Sequence, residues 1–210
     1  MKIIEPCVEP MHPIDGAVIL SRIEAAGRVC YKSESKIADG SAEAFVRRII
    51  KSGHEAVLEH CNITLKFVCD RGVSHEIVRH RLASYCQEST RYCNYSKGDF
   101  GSEITVIKPL YLTPDTAAYS VWLTACDLAE VSYFKLLEWG CTPQEARAVL
   151  PNSLKTEVVM TANLREWRHF FRLRCSQAAH PQMREVATLA LRYLYNAIPV
   201  VFEDIAEAVL

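Results

Sequence analysis

The sequence predicts an α+β fold, a mixed or antiparallel sheet covered by helices in a single domain spanning 1–210. Three observations carry this: five short strand-like stretches are scattered along the chain, amphipathic helical stretches separate them, and no internal repeat or Gly/Ser- or Pro-rich linker divides the chain. Residues 2–9 read as a short strand. Val18, Ile19, Ile23 and Ala26 then recur at helical spacing and predict a helix over 15–31, followed by a polar turn at 33–40 and a helix over 41–52 that ends at Gly53. From 61 to 69 the period changes to two, with Cys61, Ile63, Leu65 and Phe67 on one face of a half-buried strand.

A helix over 71–81 and a strand over 85–95 come next. Ile104–Lys108 is a strand closed by Pro109, and Thr113-Pro114-Asp115 opens a long helix, with proline at its first position, that runs to about 139 and stops at Gly140. Thr142 and Glu145 form a capping box for a helix that stops near Pro151. Thr156–Thr161 is β-branched, a strand or the start of a buried helix. The helix over 163–174 places Leu164, Trp167 and Phe171 apart from Arg168 and Arg172, and Pro181 starts a last helix reaching roughly Ala197.

With 210 residues, half of them hydrophobic and 23% charged, the chain can bury about 70% of its unfolded surface without a disulfide or metal staple. Lys and Arg total 24 against 25 Asp and Glu, which argues against a protein that wraps nucleic acid through bulk positive charge. Any anion site is therefore local. Eight of the 15 arginines fall in two short segments, Arg71, Arg79, Arg81 and Arg91 in one, Arg165, Arg168, Arg172 and Arg174 in the other. The nine cysteines are odd in number and include no pair three apart, so neither a zinc ribbon nor a dithiol redox motif is signalled. With no signal-peptide pattern and no apolar run near the roughly 18 residues of a membrane span, free thiols in a reducing cytoplasm and no membrane partner are expected.

The phosphate-cradling glycine motifs of dinucleotide folds and P-loops are missing, as is a nucleophile elbow. A nucleotide would have to be held by side chains. Arg79, His80 and Arg81 are expected to close the 71–81 helix, whose C-terminal dipole tolerates cations, and a polar turn then delivers Gln87, Ser89, Thr90 and Arg91. Guanidinium forks suit phosphate oxygens and stack on planar rings, and hydroxyls complete such contacts. His75 and His80 lie about 140° apart on an ideal helix and cannot share a metal from one face, so no metal site is expected. Arg165, Arg168 and Arg172 share a helix face, for which a solvated stripe is the default, and the Trp167, Phe170, Phe171 group is read as core. Cys175 beside Arg174 lacks a paired base and is read as incidental, so no cysteine nucleophile is evident.

Arg79-His80-Arg81, seven residues and then Ser89 is similar to the signature of the flavin-dependent thymidylate synthases. The resemblance extends, in order, to His54-Glu55-Ala56-Val57-Leu58-Glu59-His60, to Arg147 ahead of Val149-Leu150-Pro151, to the segment from Asn163 to Arg174, and to Pro181-Gln182-Met183-Arg184. Two departures are Ala56, where the family carries Ser or Thr, and Ala178, where many members carry His and this chain offers His180. The resemblance implies reductive methylation of dUMP to dTMP, with 5,10-methylenetetrahydrofolate as carbon donor and FAD reduced by NADPH, in a homotetramer whose sites lie at subunit interfaces. It implies that Arg79, His80, Arg81, Glu59, Asn163, Arg165 and His169 hold FAD, with His54 on the flavin and folate side. Glu76, Arg79, Gln87, Ser89, Thr90, Arg91, Arg147 and Arg174 would hold dUMP.

The chemistry supports such a set independently. Carbon 5 of uracil becomes nucleophilic when charge gathers at N3 and O4, and a fixed guanidinium, here Arg174, stabilises that charge without giving up a proton. Ser89 is read as a hydrogen-bonding catalytic group, since a Ser hydroxyl is a weak nucleophile unless a base activates it and the nearby residues are chiefly cationic or amide. Two other classes compete: a nucleic-acid-binding module, opposed by the net charge, and a flavin oxidoreductase without methyl transfer, opposed by Ser89, Arg91, Arg147 and Arg174.

Overall fold

Proline and capping side chains set most element boundaries in the computed structural model, which describes residues 1–98 and 101–210. The predicted first strand is two strands, β1 (Lys2–Ile4) and β2 (Cys7–Pro10), because Pro6 has no N–H to continue a ladder. They join different sheets. The remaining strands are β3 (Asn62–Asp70), β4 (Ala83–Gln87), β5 (Thr105–Ile107) and β6 (Lys155–Asn163). β1 pairs parallel with β5, and the other sheet has the order β2-β3-β6-β4. The predicted face of β3 is buried, with Leu65 and Phe67 fully inside.

The chain forms two compact units interleaved in sequence, Met1–Cys7, Phe67–Arg79 and Cys86–Val158 in one, Val8–Lys66, His80–Tyr85 and Val159–Leu210 in the other. In the first, α3 (Arg71–Ile77) is shorter than expected. Asp70 caps its start by accepting from Val73 N at 2.7 Å, and Val78 ends it. Arg79, His80 and Arg81 therefore follow the helix rather than close it, a correction to the dipole argument. The strand expected over 85–95 stops at Gln87, because Ser89 O accepts from Tyr92 and Cys93 N in a turn. The long helix α4 (Ala117–Glu138) starts at Thr116, whose hydroxyl accepts from Tyr119 N at 3.2 Å. Pro114 thus lies before the helix, and Asp115 sits at φ 67°, outside helical geometry. Gly140, at φ 89°, terminates the segment as expected. The capping box of Thr142 and Glu145 opens the one-turn α5 (Pro143–Ala146). Tyr95, Ile104, Val106, Tyr133 and Leu154 make this unit's core.

In the second unit, α1 (Gly16–Val29) is capped by Asp15 and packs on α2 (Ser41–Lys51). Gly27 permits this close approach, since a Cβ there would stand 2.5 Å from the Phe45 ring. A turn of 3-10 helix, Glu55–His60, leads into β3. α6 (Leu164–Arg174) is capped by Asn163, whose Oδ1 accepts from Glu166 N at 2.8 Å. Its Trp167, Phe170 and Phe171 are fully buried, as expected, in a ring cluster continued by Phe202. α7 (Pro181–Ala197) is followed by α8 (Pro199–Val209), a further helix that the sequence reading left out.

The expected solvated arginine stripe on α6 is overturned at Arg168, which is 0% exposed. Its guanidinium donates to both oxygens of Asp204 at 2.7 and 2.8 Å, to Glu55 at 3.1 Å and to the carbonyl of Val201. Burial raises the pKa of the Asp204 and Glu55 carboxyls, but Arg168 and Arg172 outweigh it and hold both below their ordinary values. Because the folded values are depressed, this stabilisation is present above the unfolded carboxylate range of about pH 4 and is lost as pH falls through the folded values. Asp204→Ala is expected to destabilise the fold by about 2 kcal/mol at pH 7 and by less near pH 3, measured by urea unfolding at both values.

Candidate active site

Within the first unit, the end of β4 and the turn after it deliver half of the groups expected to bind dUMP: Gln87, Ser89, Thr90 and Arg91. Gln87 is fixed by its amide, which donates to Ser74 Oγ at 2.9 Å and to Thr156 Oγ1 at 3.3 Å. Thr90 is buried and accepts from Arg147 Nη1 at 3.2 Å, joining segments 57 residues apart. Ser89 Oγ accepts from Arg91 N at 3.3 Å, and the Arg91 guanidinium lies 5.4 Å from the Tyr92 ring centroid. Glu76 is on α3, and Arg79 is exposed beyond its end. The structure thus couples Thr90 with Arg147 and Ser89 with Arg91. A group the sequence reading missed lies beside them: Lys155 Nζ contacts Glu88 at 3.0 Å and Glu157 at 2.6 Å, in a hollow of about 470 Å³.

The second unit holds most of the residues expected around the flavin, and Arg174. Glu59, Asn163, Arg165 and His169 line one hollow of about 520 Å³ together with Glu55, Leu82, Glu166 and Arg172. Arg165 pairs with Glu59 at 2.5 Å, both exposed. Asn163 spends its Oδ1 on the helix cap, which leaves its amide nitrogen for a ligand. His54 and Ala56 line a different, largely apolar hollow of about 730 Å³ with Phe45, Ile49 and Val57. Arg81 is exposed on the segment leading to β4. The donors suit a flavin nucleotide: the Arg165 and Arg172 guanidiniums and the His169 imidazole for phosphate oxygens, and an apolar hollow for a planar ring, which Ala56 lines without a hydroxyl.

His80 differs from its flanking arginines by being buried, at 4% exposure. Its Nδ1 lies 2.9 Å from Glu166 Oε1, and Arg174 Nε donates to its Nε2 at 3.1 Å. The rings of Phe170 and His169 stand 4.8 and 5.5 Å away, and Tyr85 Oη donates to its carbonyl at 2.6 Å. Burial lowers the His80 pKa, Arg174 and His169 add to this, and Glu166 opposes it, so the ring is neutral at pH 7. His80, Glu166 and His169 gather their ligand atoms within 4.8 Å. Both ring nitrogens of His80 are nonetheless committed, and a cation there would have to displace Arg174. Glu166 was missed because a glutamate three residues after a capping Asn163 has a local explanation, whereas its partner is 86 residues away. Cys175 is buried and its thiol pKa is pushed up to about 11 by desolvation.

Fold and hollows together define an α+β protein equipped to hold nucleotides through arginine and hydroxyl side chains. The profile of the family described as "Thymidylate synthase complementing protein" matches residues 19–200. Two relatives named "Flavin-dependent thymidylate synthase" are the protein of Mycolicibacterium gilvum, 35% identical over 95% of this chain and 84% of its own, and that of Pyrococcus horikoshii, 34% identical over 89% and 75%. The crystal structure of a UMP/dUMP methylase, PolB from Streptomyces cacaoi, bound with 5-Br dUMP, is similar in fold at a TM-score of 0.76 and 23% identity, over 97% of this chain and 96% of that one. The chain belongs to the flavin-dependent thymidylate synthase family.

The buried thiols of Cys61, Cys69, Cys126 and Cys175 all have raised pKa values, with desolvation the leading cause. They are expected to stay unmodified by iodoacetamide at pH 8 in the folded protein and to react after unfolding, as read by peptide mass spectrometry.

Proposed function

We propose that this chain, as one functional domain over 1–210, methylates dUMP to dTMP with 5,10-methylenetetrahydrofolate as carbon donor, in a cytoplasmic homotetramer. The observation that carries the site is the hollow of about 520 Å³ that gathers Glu59, Asn163, Arg165 and His169, four residues the family resemblance assigns to FAD, from segments more than 100 residues apart. Reduced FAD bound there supplies the hydride that completes the methyl group, and NADPH restores it.

The chain's own residues do the rest. Arg165 and His169 offer guanidinium and imidazole donors to the flavin's phosphates, with Arg79, His80 and Arg81 assigned to the same cofactor and His54 to its folate-facing side. Ser89, Thr90, Arg91 and Arg147 form the anion-binding set for the dUMP phosphate, which needs guanidinium and hydroxyl donors together. Gln87, held through its amide, turns a carbonyl to the nucleotide, and Glu76 and Arg79 complete the group. Arg174 faces the uracil's N3 and O4, where it stabilises the charge that makes carbon 5 attack the one-carbon unit while the C5 proton is lost. Val121, Leu128 and Trp139, exposed by 71%, 65% and 80%, support association of copies. No helix among the described residues is long and apolar enough to cross a membrane.

The visible spectrum of the purified protein, taken before and after dUMP and then during anaerobic reduction with NADPH, tests this reading. Oxidised-flavin bands that dUMP perturbs are expected, and no flavin after reconstitution with FAD overturns it. Arg174→Ala is expected to keep the flavin bands while kcat/KM for dUMP falls at least about 100-fold, a transition-state loss of the size seen for oxyanion donors. Arg165→Ala breaks an exposed ion pair, so stability should move by no more than about 1 kcal/mol while FAD affinity falls about tenfold by fluorescence titration.

A further inference from the structure

The contacts of His80 have an order that chemistry fixes. Arg174 Nε carries a hydrogen and no lone pair, so at 3.1 Å from His80 Nε2 the imidazole nitrogen must be the acceptor. A neutral imidazole accepting at Nε2 carries its proton on Nδ1, and that N–H points at Glu166 Oε1, 2.9 Å away. Glu166 is itself buried, at 6% exposure, and its backbone is fixed at the start of α6 by the Asn163 cap. A carboxylate only accepts, so it selects the Nδ1–H tautomer.

We propose that Glu166 is a positioning residue for the reaction, locking His80 in the Nδ1–H tautomer so that Nε2 holds the Arg174 guanidinium in the heading it needs against the uracil. This rests on the reading in which Arg174 meets the pyrimidine. Without the carboxylate, the ring is free to carry its proton on Nε2, which then opposes Arg174 Nε–H donor to donor. Protonation of His80 does the same with a second positive charge. The titratable and charged groups facing His80 are Glu166, Arg174, His169 and Tyr85, and only Glu166 favours the imidazolium. The lowered His80 pKa agrees with a ring that stays neutral in the working enzyme.

The test uses the holoenzyme with FAD bound, labelled with 15N-histidine, as wild type, Glu166→Ala and Glu166→Gln, with His80→Gln to assign the resonances. At pH 8 the wild type is expected to show a protonated-type Nδ1 and an unprotonated-type Nε2 for His80, and E166A to move toward the opposite tautomer. E166A should retain flavin while kcat falls about 30-fold or more with a smaller change in KM for dUMP. In E166Q the side-chain amide oxygen still accepts from Nδ1–H without the charge that favours imidazolium, so this variant should recover most of the lost kcat and shift the acid limb of the pH profile to lower pH. A wild-type spectrum with Nε2 protonated at pH 8, or an E166A kcat within about twofold of wild type, overturns the proposal. If E166A does not fold, the acid limb of E166Q decides, and an unshifted limb counts against it. A wild-type holoenzyme whose flavin ignores dUMP removes the underlying function instead, a failure recognised apart from Glu166's hold on the tautomer, which the nitrogen spectrum reads without substrate.

Discussion

A guanidinium with no solvent exposure has to find its counter-charge inside the protein, and Arg168 imposes that condition on the second unit. Its guanidinium reaches Asp204 and the Val201 carbonyl on α8 and Glu55 at the start of the 3-10 turn, so two segments are tied to α6 through one side chain. Removing one partner leaves the charge buried and under-compensated, which is why such a cluster constrains geometry even where its net contribution to stability is modest. The turn it anchors, Glu55–His60, carries Glu59, and His54 immediately precedes it. The cation that helical spacing assigns to a solvated stripe is thus the one that holds the Glu55–His60 turn in place.

α6 divides its work by face. Trp167, Phe170 and Phe171 bury a ring cluster that fixes the helix. Arg165 and His169 remain exposed on the hollow, where Glu166 also appears before turning its carboxylate to His80. Arg174, at the helix's last position, receives its heading from the same imidazole. A single helix therefore carries core, clamp and the groups proposed for the reaction. Displacement of α6 by even a fraction of an ångström would be felt by each, since positioning is most of what such a site contributes to rate.

Much of this was legible in the sequence, and the gaps have physical causes. The helices with a side-chain cap, Gly16–Val29 and Leu164–Arg174, and the helix with a glycine just beyond its end, Ser41–Lys51, fell where periodicity put them because their signals are local. Pro6 and the Ser89 turn broke strands that hydrophobicity alone would have continued. The helix before Arg79 ended early because the His80 ring is buried against partners 86 and 94 residues away, information no local window contains. Arg168 misled for the same reason: spacing placed it on a charged face, while its partners lay at Glu55 and Asp204. The family resemblance singled out Ser89, Arg147 and Arg165 as candidates, whereas Glu166, to which it assigned no role, had to be seen in three dimensions.

The charge balance decides where anions go. At a net charge of -1 the chain cannot attract a phosphate by overall potential, so selectivity depends on which guanidiniums are matched by carboxylates. Arg28 is matched by Glu24, Arg47 by Glu43 and Glu203, and Arg168 and Arg172 by Glu55 and Asp204. Arg147 instead donates to the Thr90 hydroxyl, and Arg91 lies over the Tyr92 ring. A hydroxyl or a ring face orients a guanidinium without cancelling its charge, which leaves its electrostatic attraction available to an anion such as the proposed dUMP phosphate. Arg91 and Arg147, the arginines proposed for the dUMP phosphate, are thus set apart from the carboxylate-matched ones by the chemistry of their partners, whereas Arg165 keeps an exposed carboxylate partner in Glu59.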